Sequence, residues 1–238
     1  MILISSFPRC GSTWLRFVIC NYASIVSHGS KFTLTYTQLN NIFSNPVSLH
    51  HTHLPLSGKL MYGSVNNSSE YYNKFDKIIY IMRNPYDTMI SFWHYLKNRE
   101  IPFNLLKTKF NTEMIDQFYS LKGFVDYFLP LYIDHVKSTR HRADLVLNYD
   151  ELRKNPNEFK KAIKLIFDDK INEEVFEKAI EMSSFENIRK MGIETNEIHG
   201  LAKNSLDHFC RDGRSGQFME VMNNHLVQYI ETEWNKVF

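Results

Sequence analysis

Cysteine is scarce in this chain: only Cys10, Cys20 and Cys210 occur among 238 residues. An odd, sparse set does not make a disulfide framework and suits a reducing compartment, so a cytoplasmic location is expected. No zinc-ligand spacing connects the cysteines, and no His/Asp/Glu cluster has metal spacing, so no metal is expected. An excess of one charge is also missing. With 28 basic and 26 acidic residues and a net charge of +2, the chain does not read as a nucleic-acid coat or a membrane-attracted surface. No apolar run reaches the roughly 20 residues needed to span a bilayer. No basic segment precedes Met1–Ile4, which reads as a first strand rather than a signal peptide. The sequons at Asn66 and Asn67 are accordingly read as unmodified loop. Internal repeats, low-complexity stretches and linkers are missing too, so residues 1–238 are expected to form a single domain. The hydrophobic fraction of 43% and aromatic fraction of 14% are those of a globular chain.

What is present alternates between strand and helix patterns. Ile2–Ser5 is a short apolar run, followed by a Pro/Gly turn and an amphipathic stretch from Thr13 to about Ser27. A short strand is expected near Ser48–Thr52, and Gly58–Lys74 reads as irregular connection. Lys77–Met82 is the clearest buried strand, and Asn84 with Pro85 starts a helix to about Asn98. Thr112–Ser138 reads as helix interrupted near Pro130. Ala143–Asn148 reads as a strand, with helices after Asn155–Pro156, over Glu173–Met182 and over Val221–Val237. Asn187–Arg214 reads as loop. The pattern predicts an α/β fold with a central, mostly parallel sheet flanked by helices.

Phe7-Pro8-Arg9-Cys10-Gly11-Ser12-Thr13-Trp14 joins the first strand to the first helix. Backbone N–H groups and the helix dipole there favour an anion, Gly11 permits close approach, and Arg9 supplies a charged fork. The loop is P-loop-like, but it is not a Walker A loop: no lysine sits in the turn, which weakens a nucleoside-triphosphate reading. Arg83 is placed where the Lys77–Met82 strand meets a helix start, with Ser91 two turns along. A phosphate would meet a guanidinium and a hydroxyl together; the plainer reading pairs Arg83 with Asp87 and caps the helix.

These segments resemble the PAPS-dependent sulfotransferases, PAPS being 3′-phosphoadenosine 5′-phosphosulfate. The first is similar to that family's Y-P-K-S-G-T-T-W loop, with Arg9 in place of lysine and Cys10 in place of serine. The second, Arg83-Asn84-Pro85-Tyr86-Asp87 to Ser91, resembles R-N-P-x-D followed by serine. Arg211-Asp212-Gly213-Arg214-Ser215-Gly216-Gln217-Phe218 resembles R-K-G-x-x-G-D-W, Asp212 replacing lysine. Tyr149-Asp150 and Ser183-Ser184-Phe185 resemble Y-E-D and T-S-F, and His51-Thr52-His53-Leu54-Pro55 resembles K-T-H-L-P.

The resemblance implies that Arg9, Cys10, Gly11, Ser12 and Thr13 hold the 5′-phosphosulfate, with Trp14 near the adenine. It implies that Arg83, Ser91, Arg211, Asp212 and Gly213 form the 3′-phosphate site, and that Tyr149, Ser183 and Phe185 lie at the base. His53 is then the catalytic base and Arg9 a catalytic cation, with His51, Phe92 and Trp93 in the acceptor pocket. The activity implied is in-line sulfuryl transfer from PAPS to a hydroxyl, less readily an amine, of a small-molecule acceptor. No metal, nucleic acid or membrane is implied, and a monomer or homodimer is expected. Two other readings stay open: a P-loop-type small-molecule kinase, which would need magnesium, and a non-catalytic nucleotide-binding relative.

Overall fold

The computed structural model describes residues 1–29, 49–57, 59–60, 63–64, 67–97, 118–167, 171–195 and 213–237. Its centre is a four-stranded, wholly parallel sheet in the order β2-β1-β5-β6. The strands are β1 (Ile2–Ser5), β2 (Leu49–Thr52), β5 (Lys77–Met82) and β6 (Leu145–Asn148), and a small antiparallel pair, β3 (Lys59–Leu60) and β4 (Gly63–Ser64), stands apart. β5 is buried along nearly its whole length, as its continuous apolar run requires of a strand covered on both faces.

Alternation along β5 divides the core. Ile79 and Ile81 face α1 (Ser12–His28), with α6 (Phe159–Phe167), α7 (Glu173–Met182) and α8 (Phe185–Thr195) packed on that side. Tyr80 and Met82 face α3 (Pro85–Lys97), α4 (Leu121–Thr139) and α10 (Asn224–Trp234). Ile78 joins Leu3 and Tyr72 of α2 (Ser68–Tyr72). Among the described residues, the other α-helices are α5 (Tyr149–Lys154) and α9 (Phe218–Val221).

The α/β expectation is met, with local differences. Within Gly58–Lys74, expected to be irregular, lie β3, β4 and α2; Tyr72 anchors α2 by burying its ring completely. α4 runs through Pro130 instead of breaking there. Pro130 and Asp126 are both exposed, so the carbonyl that the proline leaves without a donor lies on the solvent side. α8 occupies the start of a segment read as loop, held by Ile188 in the core. The expected C-terminal helix is split at Met222–Asn223, where Asn223 caps α10 by accepting from the Leu226 N–H.

In a parallel sheet all strands end at the same edge. The register aligns Ser5 with Thr52 and Tyr80, and Met82 with Asn148, so the segments following β1, β2, β5 and β6 converge there. Crevices at the carboxyl edge of such sheets are where ligands bind.

Candidate active site

The segment after β1 turns sharply. Arg9 has φ 71° and Gly11 φ 96°, both left-handed, and Gly11 lies so close to the Tyr149 ring that a Cβ there would be 2.4 Å from Cδ2. Among the described residues no side-chain hydrogen bond caps α1, and its first turn has no acid. Its positive end therefore opens into a cleft lined by Arg9, Gly11, Ser12, Thr13, Trp14, Arg83, Ser91, Tyr149, Arg153, Phe185, Ile188, Gly213 and Gln217. The cleft encloses about 820 Å³, part of it open to solvent. Arg9 Nε donates to Ser91 Oγ at 3.2 Å, and its guanidinium carbon lies 4.8 Å from the centre of the Tyr95 ring. Cys10 turns the other way. Its Sγ is buried 3.8 Å from Thr88 Oγ1 and 3.8 Å from Tyr132 Oη, and burial pushes the thiol up to about 11.

Arg83 sits at the end of β5 with 4% of its surface exposed. Tyr132 Oη takes the Arg83 N–H at 3.1 Å and donates to the Arg83 carbonyl, which fixes the backbone where strand becomes helix. The guanidinium lies over the Tyr149 ring at 4.5 Å, and one terminal nitrogen donates to the Arg214 carbonyl at 2.8 Å. Asp87 stands 3.8 Å from that nitrogen and Asp150 4.0 Å from Nε, both too far for a hydrogen bond. Among the described residues, Nε of this buried guanidinium has no hydrogen-bond partner.

An aromatic wall closes the far end. Trp14 meets Tyr149 edge-on at 5.8 Å and Phe159 at 4.7 Å, while the Arg153 guanidinium lies 5.6 Å from the Trp14 ring. Tyr149 Oη donates to the Gly213 carbonyl at 3.0 Å. A Cβ on Gly213 would come within 2.9 Å of the Phe185 ring. Trp14 Nε1 is buried and has no partner among the described residues.

His53 follows β2. Its Nδ1 lies 2.7 Å from the Ser6 carbonyl, which can only accept. The proton is therefore on Nδ1 and the lone pair on Nε2. Tyr72 Oη, 2.6 Å from Ser5 Oγ, donates at 2.6 Å to the carbonyl of Leu54, the residue after His53, tying this loop to the end of β1. Burial pushes His53 down to about 4, against the Ser6 carbonyl, which raises it; Arg16 and Arg9 lower it further. His53 as a residue is exposed to solvent, which opposes that shift, and the imidazole is neutral at pH 7. His51 crosses His53 edge-to-face at 4.5 Å and is held well below its ordinary value by burial, His53 and Arg16.

A model of the sulfotransferase domain matches residues 1–237. The chain belongs to the sulfotransferase family. Cytosolic sulfotransferase 13 of Arabidopsis thaliana is 26% identical over 253 residues, covering 97% of this chain and 74% of that protein. Sulfotransferase 1B1 of Mus musculus is 27% identical over 261 residues, covering 99% and 81%. Among solved structures, mouse sulfotransferase SULT7A1 complexed with PAP has a TM-score of 0.66 at 21% identity, covering 99% of this chain and 82% of that one. Retinol dehydratase in complex with androsterone and inactive cofactor PAP has a TM-score of 0.67 at 18% identity, covering 99% and 80%. Membership sets the kinase reading aside. No described helix is long and apolar enough to cross a membrane. Among the described residues, no group of three or more His, Cys, Asp or Glu is placed to hold a metal ion.

In this sulfotransferase, Arg9, Gly11, Ser12, Thr13, Trp14, Arg83, Ser91, Tyr149, Phe185 and Gly213 all line one cleft. Other expected residues lie elsewhere. Cys10 belongs to the cleft loop by sequence, but its side chain is core, because the turn that aims Gly11 at Tyr149 sends Sγ inward. Ser183 is fully buried and accepts from Asn21 Nδ2 at 2.9 Å, so its hydroxyl links α7 to α1. Phe92 is core, packed against Phe7, Phe124 and Phe128. Trp93 donates to the Phe118 carbonyl at 3.1 Å and stacks under Lys97. Arg211 and Asp212 lie outside the described residues. Arg153, Ile188 and Gln217 line the cleft without having been singled out. Helical spacing carried the signal for the first two, four residues after Tyr149 and three after Phe185.

Proposed function

We propose that this sulfotransferase moves the sulfuryl group of PAPS to a hydroxyl of a small-molecule acceptor, with His53 as base. One observation carries the reading. A single cleft joins the positive end of α1, Arg9, Arg83 and an aromatic wall, which are the complements of a phosphosulfate, a second phosphate and a base. The fit is tested by what the cleft leaves unsatisfied and unfilled. Arg83 Nε and Trp14 Nε1 are buried donors with no partner among the described residues, and a Cβ at Gly11 or Gly213 would strike an aromatic ring. The PAP in the two similar solved structures supports the same assignment.

In this reading Gly11, Ser12 and Thr13 present donors to the 5′ group, Arg83 and Ser91 hold the 3′-phosphate, and Trp14, Tyr149 and Phe185 enclose the base. The donor supplies the sulfuryl group and leaves as adenosine 3′,5′-bisphosphate. His53 keeps Nδ1–H on the Ser6 carbonyl and takes the acceptor proton at Nε2. Arg9 stays protonated, so it stabilises charge on the bridging oxygen without donating a proton. With charge met by arginine and backbone donors, the step asks for no metal. A neutral base favours hydroxyl over amine acceptors. The relatives named cytosolic support a cytoplasmic setting, and we assign no nucleic-acid or membrane partner and a monomer or homodimer.

The test is transfer of labelled sulfuryl from PAPS to a panel of phenols, alcohols and amines in the presence of EDTA. Metal-independent labelling of a hydroxyl acceptor is the expected result. No transfer to any acceptor, by a protein that still binds adenosine 3′,5′-bisphosphate, would favour the non-catalytic reading.

A further inference from the structure

Asn84 lies between two carboxylates. Its Nδ2 donates to Asp87 Oδ2 at 2.9 Å and to Asp150 Oδ2 at 3.0 Å, its N–H donates to Asp150 Oδ2 at 3.0 Å, and its Oδ1 accepts the Asp87 N–H at 2.8 Å. Each carboxylate then reaches across to the segment after residue 212. Asp87, 1% exposed, accepts the Gly216 N–H at 2.6 Å and the Phe218 N–H at 3.3 Å; Asp150 accepts from Ser215 Oγ at 2.6 Å. The segment answers from its other side, since the Gly213 carbonyl takes Tyr149 Oη and the Arg214 carbonyl takes the Arg83 guanidinium. Phe218 stacks on Tyr86 at 4.6 Å.

We propose that Asp87 and Asp150 are positioning residues of the donor site, a two-carboxylate clamp, bridged by Asn84, that latches segment 213–218 over Arg83. The inference rests on the reading of Arg83 as a phosphate ligand. The clamp sits next to a site meant for an anion, where two bare carboxylates would repel the ligand. Their strong contacts answer that difficulty. The hydrogen bonds go to backbone N–H groups, a serine and Asn84, while Arg83 is kept at 3.8 and 4.0 Å, beyond hydrogen-bond reach, with Nε unspent. The carboxylates hold the segment in place without consuming the guanidinium.

Two accounts of these aspartates differ in sign. If they act on the site only as charges, Asp87→Asn removes a repelling carboxylate and tightens adenosine 3′,5′-bisphosphate binding. If they latch the segment, the same change weakens binding. The amide keeps one acceptor where Gly216 and Phe218 use two, on different carboxylate oxygens, so one of these N–H groups is left facing a donor. The experiment measures the Kd for adenosine 3′,5′-bisphosphate, amide exchange at Gly216 and Phe218, and Tm, in the intact protein and in Asp87→Asn, Asp87→Glu and Ser215→Ala.

The latch predicts about tenfold weaker binding and faster exchange in Asp87→Asn, with no recovery in Asp87→Glu, whose charge is kept but displaced. It predicts about twofold to threefold weaker binding in Ser215→Ala at unchanged Tm. Unchanged or tighter binding in Asp87→Asn overturns the inference, as does full recovery in Asp87→Glu. Should Asp87→Asn fail to fold, Ser215→Ala decides, and unchanged binding there overturns it. Absence of binding to the intact protein would overturn the donor-site reading instead. The exchange rates, measured without nucleotide, would still show whether the aspartates hold the segment.

Discussion

The cleft proposed for the donor and the His53 loop proposed for the acceptor hang from one edge of one sheet, yet they are held by different means. On the donor side, Arg83 sits among Asp87, Asp150, Tyr149 and the Arg214 carbonyl, so charge is met by charge and by oriented dipoles. On the acceptor side, His53 has the Ser6 carbonyl, a neighbouring imidazole and burial that holds it neutral. The difference teaches a division of labour. The first half is organised to receive fixed negative charge, the second to keep an uncharged lone pair ready. Mutations in the two halves should therefore separate binding from turnover.

The largest separation is expected at His53. His53→Ala should lower kcat by roughly 10²–10⁴-fold, the usual contribution of a positioned base, and leave the affinity for adenosine 3′,5′-bisphosphate within twofold. Loss of both together, measured by steady-state kinetics beside calorimetry, would erase the distinction between the halves.

A smaller effect is expected from glycine. Gly11 and Gly29 both have positive φ, but a Cβ at Gly11 strikes Tyr149 while one at Gly29 meets nothing within 4 Å among the described residues. Gly29→Ala should cost only the backbone penalty, about 1–3 kcal/mol at its φ of 78° and ψ of 176°, where glycine alone sits easily. Gly11→Ala should cost about 1–3 kcal/mol more and weaken bisphosphate binding as well. Chemical denaturation of both variants isolates the clash.

The smallest effect concerns pH. With His53 pushed down to about 4, the acid limb of kcat/KM should fall near that value and not near 6.5. Stability should follow the same sign. His53, and His135 at about 3, stay neutral in the fold while their unfolded counterparts take up protons below 6.5. Their contribution is intact above that pH and drains away as the pH falls through 4 and 3. A limb near 6.5 would mean that solvent at the exposed edge of His53 cancels the effect of burial.

Much of the donor half was legible in sequence because its residues follow strands that announce themselves. Lys77–Met82 reads as a buried strand from composition alone, and Arg83, Asn84 and Pro85 then sit at a strand end and a helix start. The part that was not legible depends on pairing between distant residues. Asp87 reads locally as a partner for Arg83, and that pair does form at 3.8 Å. Nothing near it in sequence marks the Gly216 N–H, 129 positions away, as its strong contact. Side-chain direction in a tight loop is equally hidden, which is why Cys10 and Gly11, adjacent in one motif, end on opposite sides of it. The aromatic run around Phe92 shows the same limit. Its composition suits a pocket or a core equally well, and only packing against Phe124 and Phe128 shows that Phe92 is core.

The most direct measurement of the central claim is calorimetric titration of adenosine 3′,5′-bisphosphate, without magnesium, into the intact protein and into Arg83→Lys. The account predicts micromolar or tighter binding to the intact protein. It predicts a loss of about tenfold in the variant, where the charge remains but the guanidinium fork is gone. No binding to the intact protein, or equal binding to both, would contradict it.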